Sequence, residues 1–259
     1  MTHSAAIESP VAVPATSGGR FWRNRVTASA SVEAVAGPGG ATRLPVLASQ
    51  APLVLRRTPD AVYLVGGAAG PLGGDSLSLH ITVGAGAFLR LRTAAASIAL
   101  PGLDGLESVL RIFATVAGGG RLEYLPEPVV VSAGARHATL VSATLCAGAS
   151  LVLRDEVLLG RHGEAGGTAR TALQVSYAGR PLLRQSLEVS GADPASTGPA
   201  VLAGHRAVGT LLHAGEPAAA EIPAHAIPEV AVMPLAGPGV LVTALAHDAV
   251  TLRRRLTRP

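Results

Sequence analysis

Ser76-Leu77-Ser78-Leu79-His80-Ile81-Thr82-Val83 alternates without a break. Leu77, Leu79, Ile81 and Val83 fall on one face; Ser76, Ser78, His80 and Thr82 fall on the other. Side chains on a strand alternate between faces, so a period of two predicts a half-buried strand, with His80 on its solvent side. Gly84-Ala85-Gly86 follows and predicts a tight turn, because glycine accepts positive φ without steric cost. Phe88–Thr93 then reads as the next strand.

The same reading extends along the chain. From Val46 onward short β-like runs recur between Gly- and Pro-containing turns. The clearest are Val109–Val116, Arg121–Leu125, Val129–Val131, Ala138–Leu145 and Ser150–Leu159. Arg170–Tyr177 and Pro181–Val189 flank Ala178-Gly179-Arg180 and predict a hairpin. Later strands are expected at Ala207–Leu212 and Val240–Ala244. Helical patterns are few: a turn or two at Leu103–Leu110, and an amphipathic C-terminal helix at Thr243–Leu256. A weak echo links Gly84-Ala85-Gly86, Ala133-Gly134-Ala135 and Ala147-Gly148-Ala149, each between apolar runs. Stacked β layers joined by tight corners use such residues, whereas abundant Ala and Gly alone produce the same echo by chance. The expected architecture is mainly β, a single domain over 20–259 with stacked sheets and one or two helices, one near the C-terminus. Residues 1–19, rich in Ala, Ser, Thr, Pro and Gly, read as a disordered leader, and 190–200 as an exposed loop.

Composition narrows the function. The chain has 259 residues, 48% hydrophobic and 15% charged, which excludes a disordered chain with too little to bury. No uncharged run reaches the ~20 apolar residues of a spanning helix; Val230–Ala246 is broken by Pro234 and Pro238. The apolar residues of that stretch, with the arginines behind it, read as an incompletely satisfied surface. One cysteine, Cys146, excludes an internal disulfide framework and any CxxC metal cluster, and its apolar surroundings read as a buried small residue. No basic region precedes an apolar core at the N-terminus, so no signal peptide is expected, and the cytoplasm is the expected compartment. All 21 basic residues are arginine, so a net charge of only +4 gives a pI near 10.2. They are scattered apart from Arg253-Arg254-Arg255 with Arg258, and only 3% of residues are aromatic, so nucleic-acid binding is not expected.

Catalytic patterns fail. There is no GxSxG elbow, HExxH helix or Walker loop. Gly66-Gly67-Ala68-Ala69-Gly70 lacks the GK[ST] ending and precedes a strand rather than a helix N-terminus. His205, His213 and His225 are spaced for neither one helix face nor a tight metal turn, and read as surface or loop histidines. Carboxylates are more informative: Asp75 before the cleanest strand, Glu123 within Leu122–Leu125, Asp155-Glu156, and Glu164. Two of them converging 5–9 Å apart would suit a β-solenoid carbohydrate-active enzyme, at roughly the separation of glycosidase pairs. The plainer reading pairs them with Arg90, Arg92, Arg136, Arg154 or Arg161, or leaves them in solvent.

Several segments, in order and spacing, resemble the urease accessory protein D family (UreD, called UreH in some lineages). Ala69–Leu77 resembles its glycine-rich segment ending in Gly-Asp, here Gly73-Gly74-Asp75. Thr93-Ala94-Ala95-Ala96 resembles its Thr-x-Ala-Ala block. Leu122–Pro128 is similar to its aromatic-Leu-Pro segment, with Tyr124 where Trp is commoner and Pro126 in place. Leu159–Glu164 is similar to its Leu-Gly-Arg-x-x-Glu block, carrying Gly160 and Arg161. The likeness covers about Pro52–Val189 well and the last third loosely. It departs at Ile98 and Leu100, where the family usually carries Lys and Tyr, and at Ala69, where the first glycine of the usual pair stands.

The resemblance implies a largely β fold with stacked sheets in a β-helical arrangement. It also implies a non-enzymatic scaffold that binds apo-urease and accessory proteins F and G, the latter a GTPase, and supports nickel insertion. No tightly bound cofactor follows from it, only transient nickel. Asp75, Glu123 and Glu164, each in a family-like block, are the expected nickel-route carboxylates, since hard oxygen ligands pass the ion on.

Overall fold

The structure is a computed structural model, and it describes residues 25–216 and 224–257. The expected leader, 1–19, lies outside the described residues, as does Arg258. Strands take up 58% of the structure. In chain order the first are β1 (Thr27–Ala36), β2 (Thr42–Ala48), β3 (Leu53–Arg57), β4 (Val62–Gly66), β5 (Ser76–Val83) and β6 (Phe88–Thr93). Next come β7 (Ser97–Ala99), β8 (Ser108–Val116), β9 (Arg121–Leu125), β10 (Val129–Val131), β11 (Arg136–Leu145) and β12 (Ser150–Leu159). The chain continues through β13 (Thr168–Tyr177), β14 (Arg180–Ser190), α1 (Pro194–Thr197) and β15 (Ala207–Gly215). It ends with β16 (His225–Ile227), β17 (Val230–Pro234), β18 (Gly239–Ala246) and α2 (Ala249–Thr257).

Two sheets face each other. One has the order β14-β13-β11-β8-β5-β1-β2, the other β16-β17-β18-β15-β12-β9-β6-β4-β3. The middle of each is parallel: β5, β8 and β11 stack in one, β6, β9 and β12 in the other. A short third face stacks β7, β10 and the end of β12 in parallel. The chain therefore coils β5-β6-β7, β8-β9-β10, β11-β12, as stacked turns of a solenoid. Antiparallel hairpins flank this centre, including β13–β14 as expected around Ala178-Gly179-Arg180.

One turn, repeated, makes the corners. Ala87 N–H donates to the Gly84 carbonyl, Gly120 to Ala117, Ala135 to Ser132 and Ala149 to Cys146. The third residue of each is a glycine at positive φ: Gly86, Gly119, Gly134 and Gly148. The echo in the sequence is thus structural, and Ala117–Gly120 is a fourth copy of it. Gly86, Gly119 and Gly148 close the same corner in successive coils, and Gly119 N–H donates to the Gly148 carbonyl. Gly134 closes a different corner, between β10 and β11.

Alternation then decides burial. Leu77, Leu79, Ile81 and Val83 are buried between the sheets with Leu89, Leu91, Ile112, Leu122, Leu151 and Leu153, and His80 is exposed against Phe113. A second core lies on the far side of the eleven-stranded sheet, where α2 places Leu252 and Leu256 over Val230, Val232, Val240 and Val242.

Five expectations are corrected. Leu103–Leu110 is not helical: Pro101, Gly102 and Gly105 break it, and β8 begins at Ser108. The C-terminal helix starts at Ala249, because Thr243–Ala246 belongs to β18, which pairs with β15 and β17. Most apolar residues of Val230–Ala246 are buried core rather than open surface, with Met233, Pro234, Ala236 and Gly237 exposed around the turn between β17 and β18, and Arg253 and Arg255 behind it are ion-paired. Cys146 is exposed, at the corner turn between β11 and β12. The expected loop 190–200 contains α1, one helical turn whose Ala195 N–H donates to the Asp193 carboxylate.

The Gly73-Gly74-Asp75 corner has a steric reason for its glycines. A Cβ on Gly73 would lie 2.4 Å from the Gly102 nitrogen and 2.7 Å from the Leu106 carbonyl oxygen. Gly74 has φ +93°. Gly74→Val is expected to lower stability by ~1–3 kcal/mol through backbone strain. Gly73→Ala is expected to cost at least as much, because its neighbours are backbone atoms that cannot swing away. Urea unfolding of both variants checks this; unchanged midpoints would mean that the corner accepts side chains.

Candidate functional site

The interior faces of the central strands are apolar except at one level. Along β12 the inward residues run Leu151, Leu153, Asp155, Val157, Leu159. The first two belong to the main core and the last two to a separate core with Ala99, Val131 and Leu202. Asp155 stands between the two cores. From the opposite sheet, β11 brings His137 and Thr139 to the same level. The result is a cavity of about 550 Å³, walled by Leu53, Leu64, Leu77, Leu110, Ile112 and Val141. Polar groups enter it from Thr93, Tyr124, His137, Thr139 and Asp155.

The polar groups differ in their partners. Ser108 Oγ lies 2.8 Å from His137 Nδ1, and Thr139 Oγ1 lies 3.3 Å from Nε2. Burial pushes the His137 imidazole down to about 4, against a weak opposing pull from Glu107, so it is neutral at physiological pH. Asp155 is enclosed by protein, yet its carboxylate keeps some accessible surface because it borders the cavity. No hydrogen bond or ion pair among the described residues holds that carboxylate. Burial, assisted by the charge of Glu156, raises it to about 7. The Tyr124 hydroxyl is pushed up, by burial first and by the Asp155 charge second.

The outer side of the same strand is arranged differently. Arg154 and Glu156 leave β12 on the opposite face from Asp155, beneath α2. Glu156 has a fully buried side chain and accepts from Arg253 at 2.6 Å and from Arg154 at 3.3 Å. Arg253 also bonds Glu127 at 2.9 Å, and Arg154 donates to the Pro126 carbonyl at 2.8 Å. Glu127, Arg154 and Glu156 all reach the cavity wall, so α2 is tied to its rim.

The residues singled out in the sequence hold the frame around this cavity. Asp75, buried, accepts from the Val26 and Leu72 backbone N–H groups, both at 2.9 Å. Glu123 pairs with Arg90 at 2.6 Å. Glu164 accepts from Arg161 through backbone and guanidinium, which pulls its carboxyl down to about 2. Thr93 Oγ1 accepts from Glu127 N–H, and Gly160 N–H donates to the Val131 carbonyl. Asp75, Glu123 and Glu164 thus sit on separate elements with separate partners. Among the described residues no group of three or more His, Cys, Asp or Glu is placed to hold a metal ion. Asp155 and Glu156, on opposite faces of one strand, do not form a catalytic pair across a cleft. Ile98 and Leu100, the departures from the family pattern, both line the cavity. Asp155 was visible as the one acid on an otherwise apolar strand face, but its place between the cores required the fold.

Comparison with known proteins agrees with the resemblance. The family model described as "UreD urease accessory protein" matches residues 26–258. A urease accessory protein UreD of Frankia alni is 45% identical, covering 92% of this chain and 93% of that protein. That of a Parafrankia species is 45% identical over 90% of this chain and 88% of its own, and that of Streptomyces coelicolor 44% over 89% and 94%.

The two buried titratable groups act on stability in opposite senses. Asp155 has a folded pKa above its unfolded value, so the stability it allows is full below about pH 4 and is lost as pH rises toward 7. His137 has a folded pKa below its unfolded value, so its contribution is lost as pH falls from about 6.5 toward 4. Asp155→Asn is expected to raise stability at pH 8 by roughly 1–4 kcal/mol and to change nothing below pH 4. Urea unfolding of both proteins across pH 4–8 measures the difference, and parallel pH curves would show that Asp155 is solvated or paired.

Proposed function

Because the chain belongs to the UreD urease accessory protein family, we propose that it is a non-enzymatic scaffold in the cytoplasmic maturation of urease. In this reading it binds apo-urease together with accessory proteins F and G and supports delivery of nickel to the urease active site. The observation that carries the finer part is the interior cavity with the partner-free Asp155 carboxylate facing it beside Tyr124. A Ni²⁺ ion passing through needs contacts that exchange. One carboxylate with water and hydroxyl oxygens binds weakly, whereas a closed set of four ligands would trap the ion. Asp155 exchanges its proton near neutral pH, so an arriving cation displaces that proton at small cost. The apolar walls offer nothing to retain it. Nickel is cargo here, and no resident cofactor is proposed.

The membrane has no part in this reading; no helix among the described residues is long and apolar enough to cross one. The carbohydrate-enzyme alternative is not adopted: Asp155 and Glu156 leave opposite faces of β12, and Glu156 is held by Arg253 and Arg154.

Expression of the urease structural and accessory genes together, with this chain intact, deleted or altered, tests the proposal. Deletion is expected to leave urease assembled but with less than about a tenth of its nickel. Asp155→Asn is expected to keep the complex with apo-urease and accessory proteins while lowering the nickel content several-fold. Full nickel loading by Asp155→Asn would remove the cavity from the route, and full loading without the chain would overturn the maturation role. The triple variant Asp75→Asn, Glu123→Gln, Glu164→Gln tests the wider route: reduced nickel with intact assembly extends the path to these acids, and lost assembly assigns them to the frame.

A further inference from the structure

The chain has only 3% aromatic residues and 8 histidines, yet two histidines stack on each other. His205 and His247 have ring centroids 4.4 Å apart and planes at 26°. They are far apart in sequence and are brought together by the register of β15 and β18. Ala207 faces Ala246 across that ladder, so the residues just outside it meet at the sheet's end. Arg206 N–H extends the pairing by donating to the Ala246 carbonyl.

The tautomer of His205 follows from its partner. Its Nδ1 lies 2.9 Å from the Leu202 carbonyl oxygen. A carbonyl only accepts, so Nδ1 carries the proton, and in the neutral ring Nε2 is left with its lone pair. A second ring nitrogen fixed by a backbone carbonyl is how metal-binding histidines are commonly oriented. His247 is exposed, and its ring has no hydrogen bond among the described residues. Metal–imidazole bonds of about 2.1 Å place the centroids of two neighbouring ligand rings roughly 4.5–5 Å apart with their nitrogen edges turned to the ion, so the stacked pair has the spacing of such ligands but not yet their orientation. The exposed His247 ring supplies the rotation that brings its nitrogen to the same ion. Nearby Asp248 does not compete, because its carboxylate is taken up by Thr251 N–H and Oγ1 at the start of α2.

We propose that His205 and His247 form a two-imidazole surface site for a borderline divalent cation of the nickel class, completed by water or by a partner's ligands. Imidazole selects such ions over Mg²⁺ and Ca²⁺, and two ligands hold them weakly enough to release. The site lies close to the cavity rim. The Arg206 guanidinium, next to His205, donates to the Gly160 and Arg161 carbonyls, and Arg161 lines the cavity. The site itself stands on the imidazole geometry; only its use as a station for cargo rests on the maturation reading.

Calorimetric titration of the purified full-length chain with NiCl₂ tests it, using His205→Gln, His247→Gln and the double variant, with His80→Gln as control. Each single variant is expected to weaken the tightest Ni²⁺ binding by about fivefold or more, as one of two imidazoles is lost. The double variant is expected to add little, because both rings serve one ion, and His80→Gln is expected to bind as the parent does. Cu²⁺ as a spectroscopic probe is expected to show coupling to two imidazole nitrogens in the parent and to one in each single variant. This readout stands even if a variant loses stability. Absence of Ni²⁺ binding below about 1 mM, or a double variant that binds like the parent, overturns the site. Either result leaves the maturation reading intact, because that reading is judged by the nickel content of urease.

Discussion

Two facing sheets wound from one coiling chain share a single interior, and that constraint governs the rest of the molecule. Each central strand must send every second side chain into the same space, and its neighbours above and below must do so in register. The corners must then turn tightly without side chains where coils meet, which is why Gly86, Gly119 and Gly148 recur at positive φ. Parallel stacking propagates the arrangement: once Leu77 faces inward, Leu110 beside it in β8 does so too. A polar residue on an inward position has nowhere else to go, because a shift of one residue would expose the whole apolar set.

That rule explains both what was readable in the sequence and what was not. Ser76–Val83, Phe88–Thr93, Arg121–Leu125 and Ser150–Leu159 have the same bounds in sequence and structure because Leu, Ile and Val mark one face. Thr27–Ala36 went unread because its inward residues are Ala28, Ala30, Val32 and Ala34, which contrast poorly with serine. Leu103–Leu110 misled because helical spacing of leucines is cheap to meet by chance. The Gly73–Gly102 approach, a contact between distant segments, holds the chain there instead. Thr243 and Ala244 fit both the strand at Val240–Ala244 and the helix at Thr243–Leu256 in the sequence; pairing with β15 and β17 decides for the strand through Ala246. The site was legible only in part. The motif residues Thr93, Pro126 and Arg161 do line the cavity, but the facing of Asp155 and His137 depends on strands that are neighbours only after folding.

The outer surface of β12 shows how the same chain treats acids that it does not leave free. Glu156 is buried as completely as any core leucine, and it is tolerable there because Arg253 and Arg154 both reach it. Removing one arginine from such a group leaves a buried charge without its partner, which is far more damaging than never having had the pair. Arg253 comes from α2 and Glu127 from the chain after β9, so the network fastens the C-terminal helix to the rim as well as satisfying charge.

Asp155, one residue away, has none of these partners. A carboxyl without a donor in a low-dielectric cavity lowers stability near neutral pH, and asparagine or leucine would relieve that strain on the fold. The surrounding strands give no packing reason for an acid: Leu153 and Val157 on either side are buried apolar residues. His137, the other titratable group at this level, has both ring nitrogens near hydroxyls and stays neutral, so it offers Asp155 no counter-charge. An unpaired acid facing an open interior is therefore the feature that the frame supports without benefiting from it. A cation would complement such a group electrostatically, as the arginines do for Glu156. A permanent internal partner would have quenched the charge, as Arg253 does for Glu156.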